Sequence, residues 1–233
     1  MNQDFQRFGY GGNAGATTVQ VRNKVLRNTY WLLALSMLPT IAGAWLGLTY
    51  GFALFAGSPM VSMIAFLAIA FGFMFAIERF KNSGVGVALL LGFTFFMGLM
   101  LTRLLSFVLG FSNGASLIML AFGGTAVIFG VMASIATVSK RDFSGLGKWL
   151  FMGVLVIILA SVANIWLQLP ALMLTVSVLA IAIFSAYILF DVQRVVNGGE
   201  TNYVTATLAI YLDLYNIFTN LLALLGVLGG NRN

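Results

Sequence analysis

Two aspartates, Asp191 and Asp213, sit in otherwise apolar runs, ILFDVQRVV and IYLDLYNIFTN. An acid in such a run is costly to keep, so it marks a proton relay, an ion path or a polar contact between helices. On a helix Asp213 shares its face with Ala206, Ala209, Asn216 and Asn220, three, four or seven residues away. That stripe must face protein or water, because an ionised carboxylate turned to lipid costs several kcal/mol. Asp191 lies near the end of the preceding run, where a negative charge opposes the helix dipole and calls for compensation. Arg194, three residues on, offers an ordinary surface pair. Asp213, on the next and antiparallel helix, is the other candidate partner. Two carboxylates sharing one site cannot both ionise freely, so such a pair titrates in the physiological range and works as a proton-controlled latch and pH sensor. Counted from the NGG turn between them, Asp213 lies deeper by about 9 Å at 1.5 Å per residue, a gap that tilt or an extended start to the last helix must close.

Other polar residues are candidates for lesser roles. Asn216, Asn220 and Asn164 are the expected pore-lining amides, with Ser161 and Gln168 on the face of Asn164; interhelical hydrogen bonding is the competing reading for that face. Glu78 and Arg79 end the second apolar run, either as a snorkelling pair or as counter-charge for the aspartates. Gly123, Gly124 and Thr125 suit a close helix contact. The chain has no histidine and no cysteine, which removes disulfides, thiol chemistry, zinc and haem sites of the usual kinds and histidine relays. Paired aspartates with an LPAL stretch at Leu169–Leu172 would suit an intramembrane aspartyl protease. No GxGD glycines precede Asp213, however, and LPAL comes before both acids instead of after them. The expectation is a protein that is not an enzyme and needs no cofactor. No firm metal site is expected either.

The elements that must position these residues follow from composition. Hydrophobic residues make up 61% of the 233 residues and charged ones 8%, against about 25% charged in an ordinary soluble domain; mean hydropathy is +1.01. The chain reads as an all-α integral membrane protein. Seven apolar blocks are long enough to span: Thr29–Gly47, Met60–Ile77, Val85–Thr102, Ala115–Val138, Trp149–Leu167, Ala171–Phe190 and Val204–Leu228. Turn-forming GSP, KNSG, SNG, SKRDFSGLGK, QLP and NGGETN separate them. The seventh, with its polar stripe, is expected at the centre of the bundle.

Basic residues fix the orientation. Arg7, Arg22, Lys24, Arg27, Arg79, Lys81, Lys140, Arg141, Lys148 and Arg194 fall on one side, and only Arg103 and Arg232 on the other. Lysine and arginine are retained in cytoplasmic loops, so the N-terminus is expected in the cytoplasm and the C-terminus outside. The net charge of +6 then reflects topology and contact with anionic lipid, not a nucleic-acid surface. Residues 1–28 are polar and glycine-rich, without the apolar core and cleavage site of a secretory signal, and read as a flexible cytosolic tail. Residues 29–228 form the membrane domain and 229–233 a short external tail.

The run LFDVQRVVNGGETNYVTATLAIYLDLYNIFTNLLALLG resembles the C-terminal signature of the Bax inhibitor-1 (transmembrane Bax inhibitor motif) family. KVLRNTYWLLALS, GGTAVIFG and ANIWLQLPAL resemble its bacterial YccA-like branch. The resemblance spans about residues 23 to 228 and implies six helices around a central seventh in the bacterial inner membrane. It also implies a pH-sensitive calcium leak channel gated by an aspartate pair, here Asp191 and Asp213, with Arg79 as candidate latch. The YccA-like branch implies a different role, substrate and modulator of the membrane protease FtsH, which grips a cytosolic N-terminal tail. Between these, the sequence reading ranks the channel first.

Overall fold

The computed structural model describes residues 12–50 and 59–231. Eight helices follow one another: α1 (Gly12–Tyr50), α2 (Pro59–Phe80), α3 (Gly84–Met100), α4 (Thr102–Leu109), α5 (Gly114–Val138), α6 (Leu146–Leu167), α7 (Pro170–Val196) and α8 (Tyr203–Gly229). Across the single residue Leu101, α3 runs on into α4, and the two form one span, Gly84–Leu109. The described residues therefore hold seven helical spans long and apolar enough to cross a membrane. The third is longer than its apolar block suggests, so Arg103 lies within α4 and not in a loop.

The outside of this bundle is suited to lipid. Phe75, Val138 and Trp149 are 76%, 81% and 79% exposed, a surface that in water would drive aggregation and that costs nothing in hydrocarbon. Within, α8 is the axis: it touches α1, α2, α3, α4, α5 and α7, leaving only α6, which packs on α7 alone. Ile77, Leu90, Phe93, Ile188, Val192, Ile210 and Tyr211 meet in the main core cluster, and Val108, Ala121 and Leu222 in a second one further along α8. The expected central seventh span is present, with the fifth span as an outlier on its flank.

A close backbone contact joins α1 to α3 and rests on two glycines. A Cβ at Gly43 would stand 2.2 Å from the Phe95 carbonyl oxygen, and one at Gly98 would stand 2.1 Å from that of Thr40. Only hydrogen fits in either place. Gly123 and Gly124 do not play this part: a Cβ at Gly123 meets nothing within 4 Å, and one at Gly124 meets only Leu221 Cδ1 at an ordinary 3.4 Å.

Each end of the bundle is tied by amides. At the end rich in lysine and arginine, Asn202 caps α8 through Val204 N and Thr205 N, and its Nδ2 donates to Lys81 O and to Asn82 Oδ1 in the α2–α3 turn. At the far end, Asn113 Nδ2 donates to Gly229 O, and Asn231 N donates to Asn113 Oδ1. Of the tail expected over residues 1–28, residues 1–11 lie outside the described residues. From Gly12 the chain is helical, and the tail reading does not hold as far as residue 28: Val25 is buried against Val195 and Ala206.

Candidate functional site

The two aspartates are delivered by a helical hairpin. Pro170 opens α7 at a position where its missing N–H costs nothing. Gly198 ends the helix with φ +78°, and Gly199 N and Glu200 N both donate to Arg194 O. That closing turn requires a left-handed residue, which glycine supplies without strain. Asn202 then starts α8 running antiparallel to α7. Val195 packs on Ala206, a register that puts Asp191 level with Ile210 and leaves Asp213 about 4.5 Å deeper at 1.5 Å per residue. A Cα–Cβ bond tilts toward the N-terminus of its own helix. In antiparallel neighbours these tilts are opposed, so the side chain of Asp191 leans deeper, that of Asp213 leans shallower, and the carboxyls approach.

The two acids come close enough to influence each other electrostatically. Asp213 is 4% exposed, and among the described residues its Oδ2 receives no donor. Were both ionised, two like charges would stand side by side in a site of low dielectric. Tyr187 stands close enough to feel both acids. Arg194, one turn along from Asp191, is the nearest basic group but also pairs with Glu200 at 3.7 Å.

The other residues singled out in the sequence do not gather here. Arg79 is exposed at the end of α2, a helix that does not touch α7; its neighbour Glu78 pairs with Lys81. Asn216 Nδ2 donates to Leu212 O and Asn220 Nδ2 to Asn216 O, each back onto its own helix. Asn164 lies at the α6–α7 turn, where its Oδ1 accepts from Leu169 N; α6 never reaches α8. Asn164 is thus separate from the α8 stripe. LPAL forms the same turn and the start of α7.

Two polar features escaped the sequence reading. Opposite Asp213 on α8, Thr207, Tyr211 and Tyr215 recur every four residues and reach α1 and α3. Tyr211 OH shares a 2.9 Å hydrogen bond with Thr40 Oγ1 and donates to Thr94 O at 3.4 Å. Thr207 Oγ1 donates to Tyr203 O at 2.6 Å with Thr29 O of α1 at 3.3 Å, and Tyr215 OH donates to Met97 O. The second feature is Gln193, two residues past Asp191 and 3% exposed. Its Oε1 accepts from Phe143 N and its Nε2 donates to Arg141 O, both at 2.6 Å, clasping the α5–α6 loop. In that loop two hydrogen bonds from Ser144 hold the exposed Asp142 carboxyl below its ordinary pKa.

Comparison with known proteins agrees with the resemblance in the sequence. The profile of the family described as inhibitor of apoptosis-promoting Bax1 matches residues 22–232. The chain is 39% identical over 210 residues to the modulator of FtsH protease YccA of Escherichia coli K12, covering 90% of this chain and 93% of that one. The same identity and coverage hold for the inner membrane protein YccA of a second Escherichia coli strain. An uncharacterized membrane protein of Vibrio cholerae is 35% identical over 209 residues, covering 90% and 92%. With seven apolar helical spans among its described residues, this chain belongs to the Bax1 inhibitor family.

Proposed function

We propose that this chain is a bacterial inner-membrane modulator of an FtsH-type membrane protease, acting by binding and not by catalysis. The observation that carries this reading is the 39% identity, over nine-tenths of the chain, to a protein named for that role. The ranking made from sequence is thereby reversed. Lysine and arginine crowd one end of the bundle, which this reading places in the cytoplasm together with the N-terminus. Among the described residues Val25 is the first side chain packed against α7 and α8, and residues 2–22 before it are the segment this reading gives to the protease. Deleting residues 2–22 should leave the protein inserted while abolishing its turnover in cells that express FtsH. It should also relieve inhibition of a second FtsH substrate. Unchanged turnover and unchanged inhibition in the truncated form would sink the reading.

A second reading, a pH-sensitive cation leak with calcium as the ion, is favoured by the buried, unpartnered Oδ2 of Asp213 on an acid that neighbours Asp191. In this mechanism a shared proton holds α7 to α8, and its loss parts them and opens a path beside α8. Two carboxylates fall short of the six to eight oxygens calcium takes, so an ion there keeps most of its water and passes through. Asn at position 213 can still donate to Asp191 but cannot titrate. Calcium flux into proteoliposomes across pH 6 to 8 should therefore lose its pH dependence in Asp213→Asn. Flux equal to that of protein-free vesicles would leave the modulator reading alone.

A further inference from the structure

The backbones of α1 and α5 do not come together. Between them, a cleft of about 690 Å³ opens sideways, with Met37 and Ala44 of α1, Leu105 of α4, Phe122 of α5, and Leu214 and Phe218 of α8 on its walls. Tyr30 and Phe129 meet edge to face at 6.0 Å across one end. Trp45 stands at the rim near the other end, 60% exposed. From Tyr30 to Leu48 the cleft follows α1 for about 27 Å at 1.5 Å per residue, close to the roughly 30 Å of a bilayer's hydrocarbon. Tyrosine and tryptophan near its two ends match the two interfaces.

The hydroxyls on the inner walls show what kind of occupant fits. The two protons of Thr40 Oγ1 and Tyr211 OH are shared among Ser36 O, Thr94 O and each other, Tyr215 OH donates to Met97 O, and Thr125 Oγ1 to Ala121 O. Each is already engaged with protein. A water held in a cavity needs two to four polar partners, and a polar ligand needs groups placed to orient it; between Tyr30 and Trp45 at its ends, this cleft offers neither. Its volume lies within the roughly 300–1,000 Å³ of ordinary ligand sites. We propose that the cleft between α1 and α5 binds one acyl chain of a membrane phospholipid, entering sideways from the bilayer. The chain lies against Tyr211 and Tyr215, on the face of α8 opposite Asp213, which separates the hydrocarbon side of that helix from its acid side.

The test uses the full chain in phospholipid vesicles containing a trace of phosphatidylcholine with a diazirine in one acyl chain. After irradiation, adducts are mapped by mass spectrometry of peptides. Leu214 and Phe218 should be labelled, along with outward residues such as Phe75 and Trp149. Ala34 and Ala126 line opposite walls and are exposed, so Ala34→Trp and Ala126→Trp each fill the cleft from a different helix. Each should lower labelling of Leu214 and Phe218 at least fivefold while Phe75 and Trp149 keep theirs, which also shows that the variant has folded. Label confined to the outward residues would overturn the proposal. So would equal labelling of Leu214 and Phe218 in the parent and in both tryptophan variants.

Discussion

Tyr211 of α8 and Thr40 of α1 share a 2.9 Å hydrogen bond although 171 residues separate them. It is a polar contact made where the main core cluster passes between the first span and the last. Tyr211→Phe keeps the ring against Phe93 and removes only the hydroxyl. The expected loss is about 0.6–1.5 kcal/mol, the range for single hydrogen bonds within membrane bundles and in proteins generally. Tyr211→Ala also opens a cavity and should cost about 3–5 kcal/mol. Unfolding in mixed micelles of a mild detergent and dodecyl sulfate measures both, and a Phe variant as unstable as the Ala variant would contradict this division.

Glycine tolerance should differ sharply between helices. Gly98→Ala forces a Cβ into the Thr40 carbonyl and should destabilise by about 1–3 kcal/mol, the usual cost of overpacking. Gly123→Ala enters open space, and by removing a helix-interior glycine it should be neutral or stabilising by up to about 1 kcal/mol. Thermal unfolding of the two variants side by side, in one detergent, decides this.

Span number, the central position of the last helix and the family are legible in the amino-acid sequence, through hydropathy, the acid-bearing stripe and the signature around it. What is not legible there is hidden for physical reasons. Gly43 and Gly98 carry no such signal: a close approach depends on which faces meet, and neighbouring glycines such as Gly123 and Gly124 point in different directions along a helix. Tyr211 and Tyr215 read as apolar bulk, because a hydroxyl's partner on a distant helix leaves no local trace. Asn216 and Asn220 read as pore lining, yet an amide on a helix can also bond the carbonyl four residues back, as both do here. Arg79 and Asn164 lie on helices apart from α7 and α8 respectively, which the sequence does not convey: hydropathy gives depth in the membrane but not the order of helices around the axis.

Gln193 should hold the α5–α6 loop in place. Gln193→Leu removes both bonds and leaves Phe143 N without its acceptor, at a cost of about 1–3 kcal/mol. Before global unfolding, the loop should become several-fold more sensitive to trypsin at Lys140 and Arg141. Gln193→Glu keeps the acceptor for Phe143 N and should show an intermediate rate; identical rates in all three proteins would remove the clasp from consideration.

Orientation can be tested directly, because the chain has no cysteine of its own. Ser144→Cys, in the loop that Gln193 holds, should react with a membrane-impermeant maleimide only after the inner membrane of spheroplasts is broken. Ser112→Cys, in the turn at the opposite end, should react in intact spheroplasts. The reverse pattern would invert the topology proposed from lysine and arginine.

The helix at the axis is also the one that follows all the others in the chain. During synthesis, then, α1 to α7 enter the membrane as six spans before the partner that five of those six require, and the nascent bundle has walls before it has a centre. Asp191, Thr29 and Thr94 wait in the bilayer for groups not yet made. Assembly is in effect a final plugging step, and a ribosome that stalls shortly before Tyr203 leaves behind the form most exposed to membrane quality control.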